Sequence, residues 1–340
     1  CNTHGAFNPS QAPIKQSNLC MEITLPTKPL YSVQDENGEV ALCTLSAVNL
    51  GALDSLDELE DITEIIVRSL DCLLDYQDYP LKSAEITSNN RRTLGIGVTN
   101  LAYYLAKNDA KYSDGSGNEL IHKTFEALQF YSLKASNKLA IEFGACPLFS
   151  ETQYAQGILP VDSYKKDIDV FCNTKLELDW DSLRKDIKAS GLRNSTLTAL
   201  MPCESSSQIS NSTNGIEPPR GFVSVKQSKD GILKQVVPEY EKLHKKYELL
   251  WDIKDNEGYL QLCAIMQKFV DQSISTNTHY DPSKFEGNRV PMKLFLMDLL
   301  KAYKYGIKTL YYHTTRDGAS DDQSINNPSD DDCEDGVCKL

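Results

Sequence analysis

The first strong periodicity in the chain follows Ser55-Leu56-Asp57-Glu58, a capping-box signature for a helix start. Leu59, Ile62, Ile65, Ile66, Leu70, Leu73 and Leu74 then recur at helical spacing, and the helix must end before Pro80. A longer pattern predicts a helix from about Asn118 to Phe143, with Gly144 as a left-handed stop. Further helices are predicted over Pro238–Leu250, Tyr259–Ser275 and Pro291–Tyr305, the last ended by Gly306. Short β-like runs occur at Met21–Leu25, Val40–Leu45, Thr196–Pro202, Gly221–Val225 and Ile307–Thr314. Residues 1–15 read as an irregular lead-in, and residues 145–190 as short helices and turns. Strands alternating with helices predict a parallel α/β architecture, and no internal repeat interrupts it. Gly95-Ile96-Gly97 lacks the third glycine of a dinucleotide fingerprint, so it predicts close backbone packing rather than a phosphate loop.

Composition narrows the classes. A chain of 340 residues holds one large domain or two small ones, and 40% apolar residues suit a packed core. The net charge of −13 argues against a nucleic-acid or anionic-membrane surface. No run of about 18 apolar residues predicts a membrane span, and no leader predicts export, so the expected location is cytoplasmic. Ten scattered cysteines suit reduced thiols, a few of them reactive, better than a disulfide framework.

Candidate chemistry begins at Asn18-Leu19-Cys20-Met21-Glu22. If the run is extended, Asn18, Cys20 and Glu22 share one face, while Leu19, Met21 and Ile23 anchor the other. An amide can hold a hydroxyl, a carboxylate can take its proton, and a thiol can do redox or radical chemistry. Taken alone, Cys20 is more often a small buried hydrophobe. Cys43 alone reads as strand packing, and Cys72 as structural. Pro202-Cys203-Glu204-Ser205-Ser206 leads from a strand into a helix, where N–H groups and hydroxyls suit an anion or simple capping. Tyr311 and Tyr312 would ordinarily point to opposite faces of a strand. From Arg316 onward, eight acids face two bases, so a mobile tail is expected. Cys333 and Cys338 lie in that tail without the further ligands that zinc would need.

Six collinear segments resemble the large subunit of class I ribonucleotide reductases. They are Gln16–Pro26 (QSNLCMEITLP), Ala41–Leu50, Arg91–Ala106, Gly191–Gly221, Thr309–Gly318 (TLYYHTTRDG) and Cys333–Cys338. The resemblance implies the C-terminal half of a ten-stranded α/β barrel over residues 1–315, threaded by a finger loop at Asn18–Glu22. Residues 316–340 would form a flexible acidic redox tail. The first residue is Cys1, and the family carries several hundred residues before the finger loop, so a C-terminal half is expected.

The resemblance further implies roles. Cys20 would carry a thiyl radical, Glu22 would act as base, and Asn18 would hold the sugar. Cys43 would be one of a reducing pair whose partner lies upstream and is absent here. Tyr311 and Tyr312 would pass the radical, which requires a local backbone distortion if they stack. Pro202–Ser206 would grip the substrate diphosphate. The family usually has serine where Cys203 stands, which leaves its backbone N–H as its contribution. Cys333 and Cys338 would re-reduce the buried pair and be reduced by thioredoxin or glutaredoxin. Implied partners are the N-terminal half, a radical-generating small subunit and a ribonucleoside diphosphate. No cofactor or metal is expected in this chain, since the metal or tyrosyl radical cofactor belongs to the small subunit. A cobalamin-dependent reductase would lack the tyrosine pair, and a glycyl-radical enzyme would carry another C-terminal motif. The remaining alternative is an inactive assembly half that keeps the fold.

Overall fold

The computed structural model of the chain describes residues 5–228 and 231–316, with the backbone of three further short strands, 324–325, 333–334 and 337–338. Strand β1 (Thr44–Asn49) pairs in parallel with β2 (Leu94–Thr99), Thr44 opposite Leu94 and Asn49 opposite Thr99. On its other side β2 bonds to residues 196–199: Leu94 N–H meets Thr196 O, and Ala199 N–H meets Ile96 O. That stretch bonds in turn to residues 272–275, through Gln272 N–H to Thr198 O and Ser275 N–H to Leu200 O. Thr278–Tyr280 then pairs in parallel with His313–Thr315. Five extended segments therefore lie side by side in chain order. Helix-containing crossovers join them, as parallel neighbours require. Every residue of β2 is buried, as expected of a strand covered on both faces.

The parallel α/β expectation therefore holds. The resemblance implied half of a ten-stranded barrel; five parallel segments and no closed sheet occur among the described residues.

The helices follow their capping chemistry. Ser55 and Glu58 form the predicted box, and α1 (Leu59–Tyr76) continues from it. Leu59, Val67, Leu70 and Leu74 are buried, but Ile65 is 65% exposed and Leu73 46% exposed, so the apolar run is wider than the packed face. Cys72 is exposed rather than packed. Helix α2 (Lys82–Arg91) ends at Arg92, which is left-handed at φ 47°. Its guanidinium bonds Asp71 and Asp75 of α1, which fixes the entry into β2. After α3 (Leu101–Lys107), α4 (Asn118–Phe143) has the bounds predicted and packs along α1. Gly144 has φ 86° and ψ 152°, an extended backbone with positive φ and not the left-handed cap expected. Gly306, at φ 87° and ψ 15°, does take the left-handed form.

Gly95 and Gly97 show the close packing expected of them. A Cβ on Gly95 would sit 2.5 Å from Leu45 Cδ2 and 2.9 Å from Cys43 Sγ, and one on Gly97 2.8 Å from Ala199 O.

Several expectations are corrected. The helix predicted over Tyr259–Ser275 spans Glu257–Gln267 only, and residues 272–276 form the fourth extended segment. Of Pro238–Leu250, only Tyr240–Leu243 is helical, preceded by Glu239 at φ 50°. Met21–Leu25 is not a strand, and β1 begins at Thr44, so the Val40–Leu45 prediction holds only at its end. In Ile307–Thr314 only His313 and Thr314 belong to a regular strand. The helix Met292–Tyr305 leaves Met292, Leu300 and Tyr303 exposed. Most of the tail lies outside the described residues. Of Cys333 and Cys338 only the backbone is described, and it places the two opposite each other in a two-residue antiparallel ladder. No described helix is long and apolar enough to cross a membrane.

Candidate active site

The finger loop is a turn, not a strand. Met21 N–H bonds Asn18 O at 3.2 Å, and Met21 adopts φ 67°, so side-chain alternation does not operate there. Leu19 does not anchor it, being 82% exposed. The turn nonetheless brings Asn18 and Glu22 together: Asn18 Nδ2 donates to Glu22 Oε1 at 2.8 Å, while Asn18 Oδ1 accepts from Ile23 N–H at 3.1 Å. Ser17 Oγ donates to Ile23 O at 2.7 Å and closes the loop base. Glu22 is buried, with Ser275 Oγ 3.2 Å from its other carboxylate oxygen. Ser275 Oγ also donates to Cys20 O at 2.6 Å, and Ser273 N–H bonds Glu22 O at 3.0 Å. The loop is thus docked on the fourth extended segment.

Tyr311 and Tyr312 stack with ring centroids 3.8 Å apart and planes at 31°. The alternation argument fails at this point because the ladder is irregular before His313. Tyr311 also hydrogen-bonds the Cys20 side chain. Its phenol is held above the ordinary tyrosine range, first by the bond to Tyr312, then by lost hydration and the bond to Cys20. An unbroken side-chain path therefore runs from half-exposed Tyr312 through Tyr311 to Cys20.

A cleft of about 230 Å³ opens over this path. Cys20, Tyr311 and Tyr312 line one part, Ser275 and Asn277 its floor, and Pro202, Glu204 and Asn214 another part. A second cleft of about 320 Å³ shares Glu204, Asn214, Glu217 and Arg220 with it. Ser205 and Ser206 belong to the six-residue helix Glu204–Ile209 that opens beside these clefts. Ser206 Oγ lies 3.5 Å from Cys203 O. Cys203 itself is buried, its thiol turned to Val98 O and Met201 O, and it makes no side-chain cap. Its backbone N–H is taken by Asn214 Oδ1 at 2.7 Å, so the N–H expected to remain for an anion is already used. Asn214 Nδ2 holds Glu204 Oε1 at 2.9 Å.

Cys43 does not line the cleft. Its sulfur accepts from Gln272 Nε2 at 3.5 Å, and burial pushes the thiol up to about 12, with Asp271 and Glu22 adding. A thiol so held stays protonated near neutrality. Gln272 Nε2 also donates to Leu94 O at 2.8 Å, and its Oε1 accepts from Thr24 N–H at 3.2 Å. One amide thus ties the finger loop, β2 and Cys43 together. Among the described residues, no group of three His, Cys, Asp or Glu side chains is placed to hold a metal.

A family model described as "Ribonucleotide reductase, barrel domain" matches residues 1–313. The chain belongs to that family. The chain is similar over its whole length to "Ribonucleoside-diphosphate reductase subunit alpha" of Haemophilus influenzae, at 66% identity. It is equally similar, at 66%, to "Ribonucleoside-diphosphate reductase 1 subunit alpha" of Escherichia coli, and 50% identical to the subunit alpha of Enterobacteria phage T4. In each case it covers 45% of the relative, so the chain spans about half the length of the curated relatives it matches.

Sequence reading missed Gln272, Ser275, Asn277, Asn214 and Arg220. Gln272 and Ser275 lay inside a predicted helix and Asn277 just beyond its end, and the polar contacts of the first two cross up to 255 residues of chain. Arg220 followed two prolines in a motif read only as a resemblance, with no local pattern to mark it as the cation beside both clefts.

Proposed function

We propose that this chain is the catalytic C-terminal portion of a ribonucleoside-diphosphate reductase large subunit. It would reduce the 2′ carbon of a ribonucleoside diphosphate when joined by the N-terminal portion and a radical-generating small subunit. The observation that carries the reading is the contact path Tyr312–Tyr311–Cys20, ending at a cleft that Glu204 and Pro202 also line.

A radical arriving at Tyr312 takes a hydrogen atom from Tyr311, which takes one from the Cys20 thiol and leaves a thiyl. A phenol suits each step because its proton and electron leave together. The thiyl takes the 3′ hydrogen of the substrate. Glu22 accepts the 3′-hydroxyl proton while Asn18, already bonded to Glu22, holds the sugar. The 2′ hydroxyl leaves as water. The two electrons and two protons of the reduction come from two thiols, Cys43 and the upstream cysteine, which become a disulfide, and the 3′ hydrogen returns from Cys20. Cys43 is suited to its part because its raised pKa keeps the proton on sulfur until it is needed. Glu204, Ser205, Ser206 and Pro202 would surround the diphosphate, with Arg220 as counter-charge. Cys203 would support the loop through packing alone. Cys333 and Cys338, cross-strand partners, would return electrons from thioredoxin or glutaredoxin to the buried pair.

The test is CDP reduction by the purified chain with small subunit and dithiothreitol, with and without the N-terminal portion. The expected result is activity in the mixture alone, abolished by Cys20→Ser. A stable mixture without turnover overturns the reading and leaves an assembly half.

A further inference from the structure

Ser275 and Asn277 stand two residues apart on an extended segment, so they share a face, and both line the cleft. Both are buried. Neither makes its hydrogen bonds locally. Ser275 Oγ reaches Cys20 O at 2.6 Å. Asn277 Oδ1 accepts the backbone N–H of Tyr312 at 2.8 Å, and Asn277 Nδ2 donates to Glu217 Oε1. This amide orientation follows from its partners, because a backbone N–H can only donate and an ionised carboxylate can only accept.

The Asn277 bond explains the tyrosine stack. In a regular parallel strand, consecutive N–H groups point to opposite sides, and so do consecutive side chains. Here Tyr311 N–H goes to Thr276 O at 2.8 Å, and the next N–H, that of Tyr312, goes to the Asn277 side chain of the same segment. Two successive donors are drawn to one side, the ladder is locally broken, and the rings come face to face at 3.8 Å. Thr278 N–H then takes Tyr312 O at 2.9 Å and the regular pairing resumes.

We propose that Ser275 and Asn277 are positioning residues that hold the two ends of the radical path, Cys20 and Tyr312, in register from one rigid segment. The inference rests on the reading of Tyr312, Tyr311 and Cys20 as a radical path. Ser275 has a further part at the Cys20 end. Its hydroxyl can donate either to Cys20 O at 2.6 Å or to Glu22 Oε2 at 3.2 Å, so it ties the backbone of the thiol residue to the carboxylate beside it. Glu217 acts through Asn277 by fixing the direction of its amide.

The experiment uses the assembled complex with the N-terminal portion and small subunit, and compares wild type, Tyr312→Phe, Asn277→Ala, Asn277→Asp and Ser275→Ala. Asn277→Ala and Ser275→Ala are expected to lower kcat by about tenfold or more while KM for CDP stays within about twofold, the pattern of a lost step after binding. Asn277→Asp supplies the decisive readout. Its carboxylate would face Glu217, with Arg220 from the same loop, His279 on its own segment, Glu204 across the cleft, and Cys20, Glu22, Tyr311 and Tyr312 at the path. Ionised, it repels Glu217. Protonated, its hydroxyl donates to Glu217 and its carbonyl accepts from Tyr312 N–H, as asparagine does. The ratio of kcat for Asn277→Asp to wild type should therefore rise as pH falls from 8 to 6, while the ratio for Asn277→Ala stays flat.

Wild-type kcat in Asn277→Ala, or a pH-independent Asn277→Asp ratio, overturns the inference while Tyr312→Phe remains inactive. If Asn277→Ala does not fold, the Asn277→Asp ratio decides alone. An active Tyr312→Phe complex overturns the radical-path reading instead, and the two failures are thereby distinguished.

Discussion

Tyr311 is bonded on both sides, to Tyr312 and to Cys20, and its phenol is raised above its ordinary range by those bonds. A phenylalanine there or at Tyr312 keeps the ring contact and removes the hydrogen that the proposed path moves. Tyr311→Phe and Tyr312→Phe are each expected to lower turnover of the complex by about a hundredfold or more, a loss of about 3 kcal/mol or more in transition-state stabilisation. Their folding stability, read by urea titration, should change by less than about 1.5 kcal/mol, the net worth of one hydrogen bond. Gly95 offers a different kind of residue test. A methyl group there meets Leu45 Cδ2 at 2.5 Å and Cys43 Sγ at 2.9 Å, both across the β1–β2 ladder. Gly95→Ala should cost about 1–3 kcal/mol in urea unfolding, the range for overpacking a tight core. At this scale the sequence was informative where chemistry is local and silent where it is not. Asn18, Cys20 and Glu22 stand within five residues and were read together, although through the wrong backbone shape. Ser275 and Asn277 act on residues 255 and 35 positions away, and no local pattern marks them.

Among elements, α4 was the most legible, because 26 residues without glycine or proline leave helix as the only repeating choice. The segment 272–276 was the least. Gln272, Ser273, Ser275 and Thr276 are buried, and their polarity hid a central strand whose hydrogen-bonding partners lie on β2, the finger loop and residues 309–312. A buried parallel strand is normally apolar, so the run was absorbed into the preceding helix. Helix α4 also carries a pH-sensitive contact. His122 is fully buried, with Lys268 Nζ 2.8 Å from Nε2, and lost hydration followed by the Lys268 charge lowers its pKa to about 4. The neutral ring is the folded form. Its contribution is complete above pH 6.5, the ordinary value, and is lost as pH falls through about 4. The full loss is on the order of 3 kcal/mol. Urea titrations at pH 7 and pH 4.5 should show wild type losing more stability than His122→Gln, which keeps an acceptor for Lys268 and does not titrate. An equal loss in both proteins would remove His122 as the cause.

Among the described residues, five parallel segments form an open array, one cleft of which carries the candidate site, and the family model matches residues 1–313. Architecture class was readable from alternating strands and helices, while the five-segment order emerged only from pairing. On the proposed function, the reducing partner of Cys43 is the upstream cysteine of the N-terminal portion. Single-turnover CDP reduction by the complex without external reductant should oxidise Cys43, detected by peptide mapping of blocked and unblocked thiols. The same treatment of the isolated chain should leave Cys43 reduced, its thiol protonated by burial and slow to exchange.

The two ends of the array have one further consequence. Among the described residues, β1 pairs only with β2, and His313–Thr315 pairs only with Thr278–Tyr280, so each outermost segment keeps one unpaired row of backbone donors and acceptors. On the proposed function, the N-terminal portion would engage both rows. Once the first had zipped, the second would become an intramolecular event at high effective concentration, and the two portions would separate only when both rows released together. Their union would behave as a bivalent clasp. Assembly should therefore rise with the first power of partner concentration while dissociation is slow enough to outlast dilution, and a proline in either row should shorten the lifetime of the complex far more than it slows its formation.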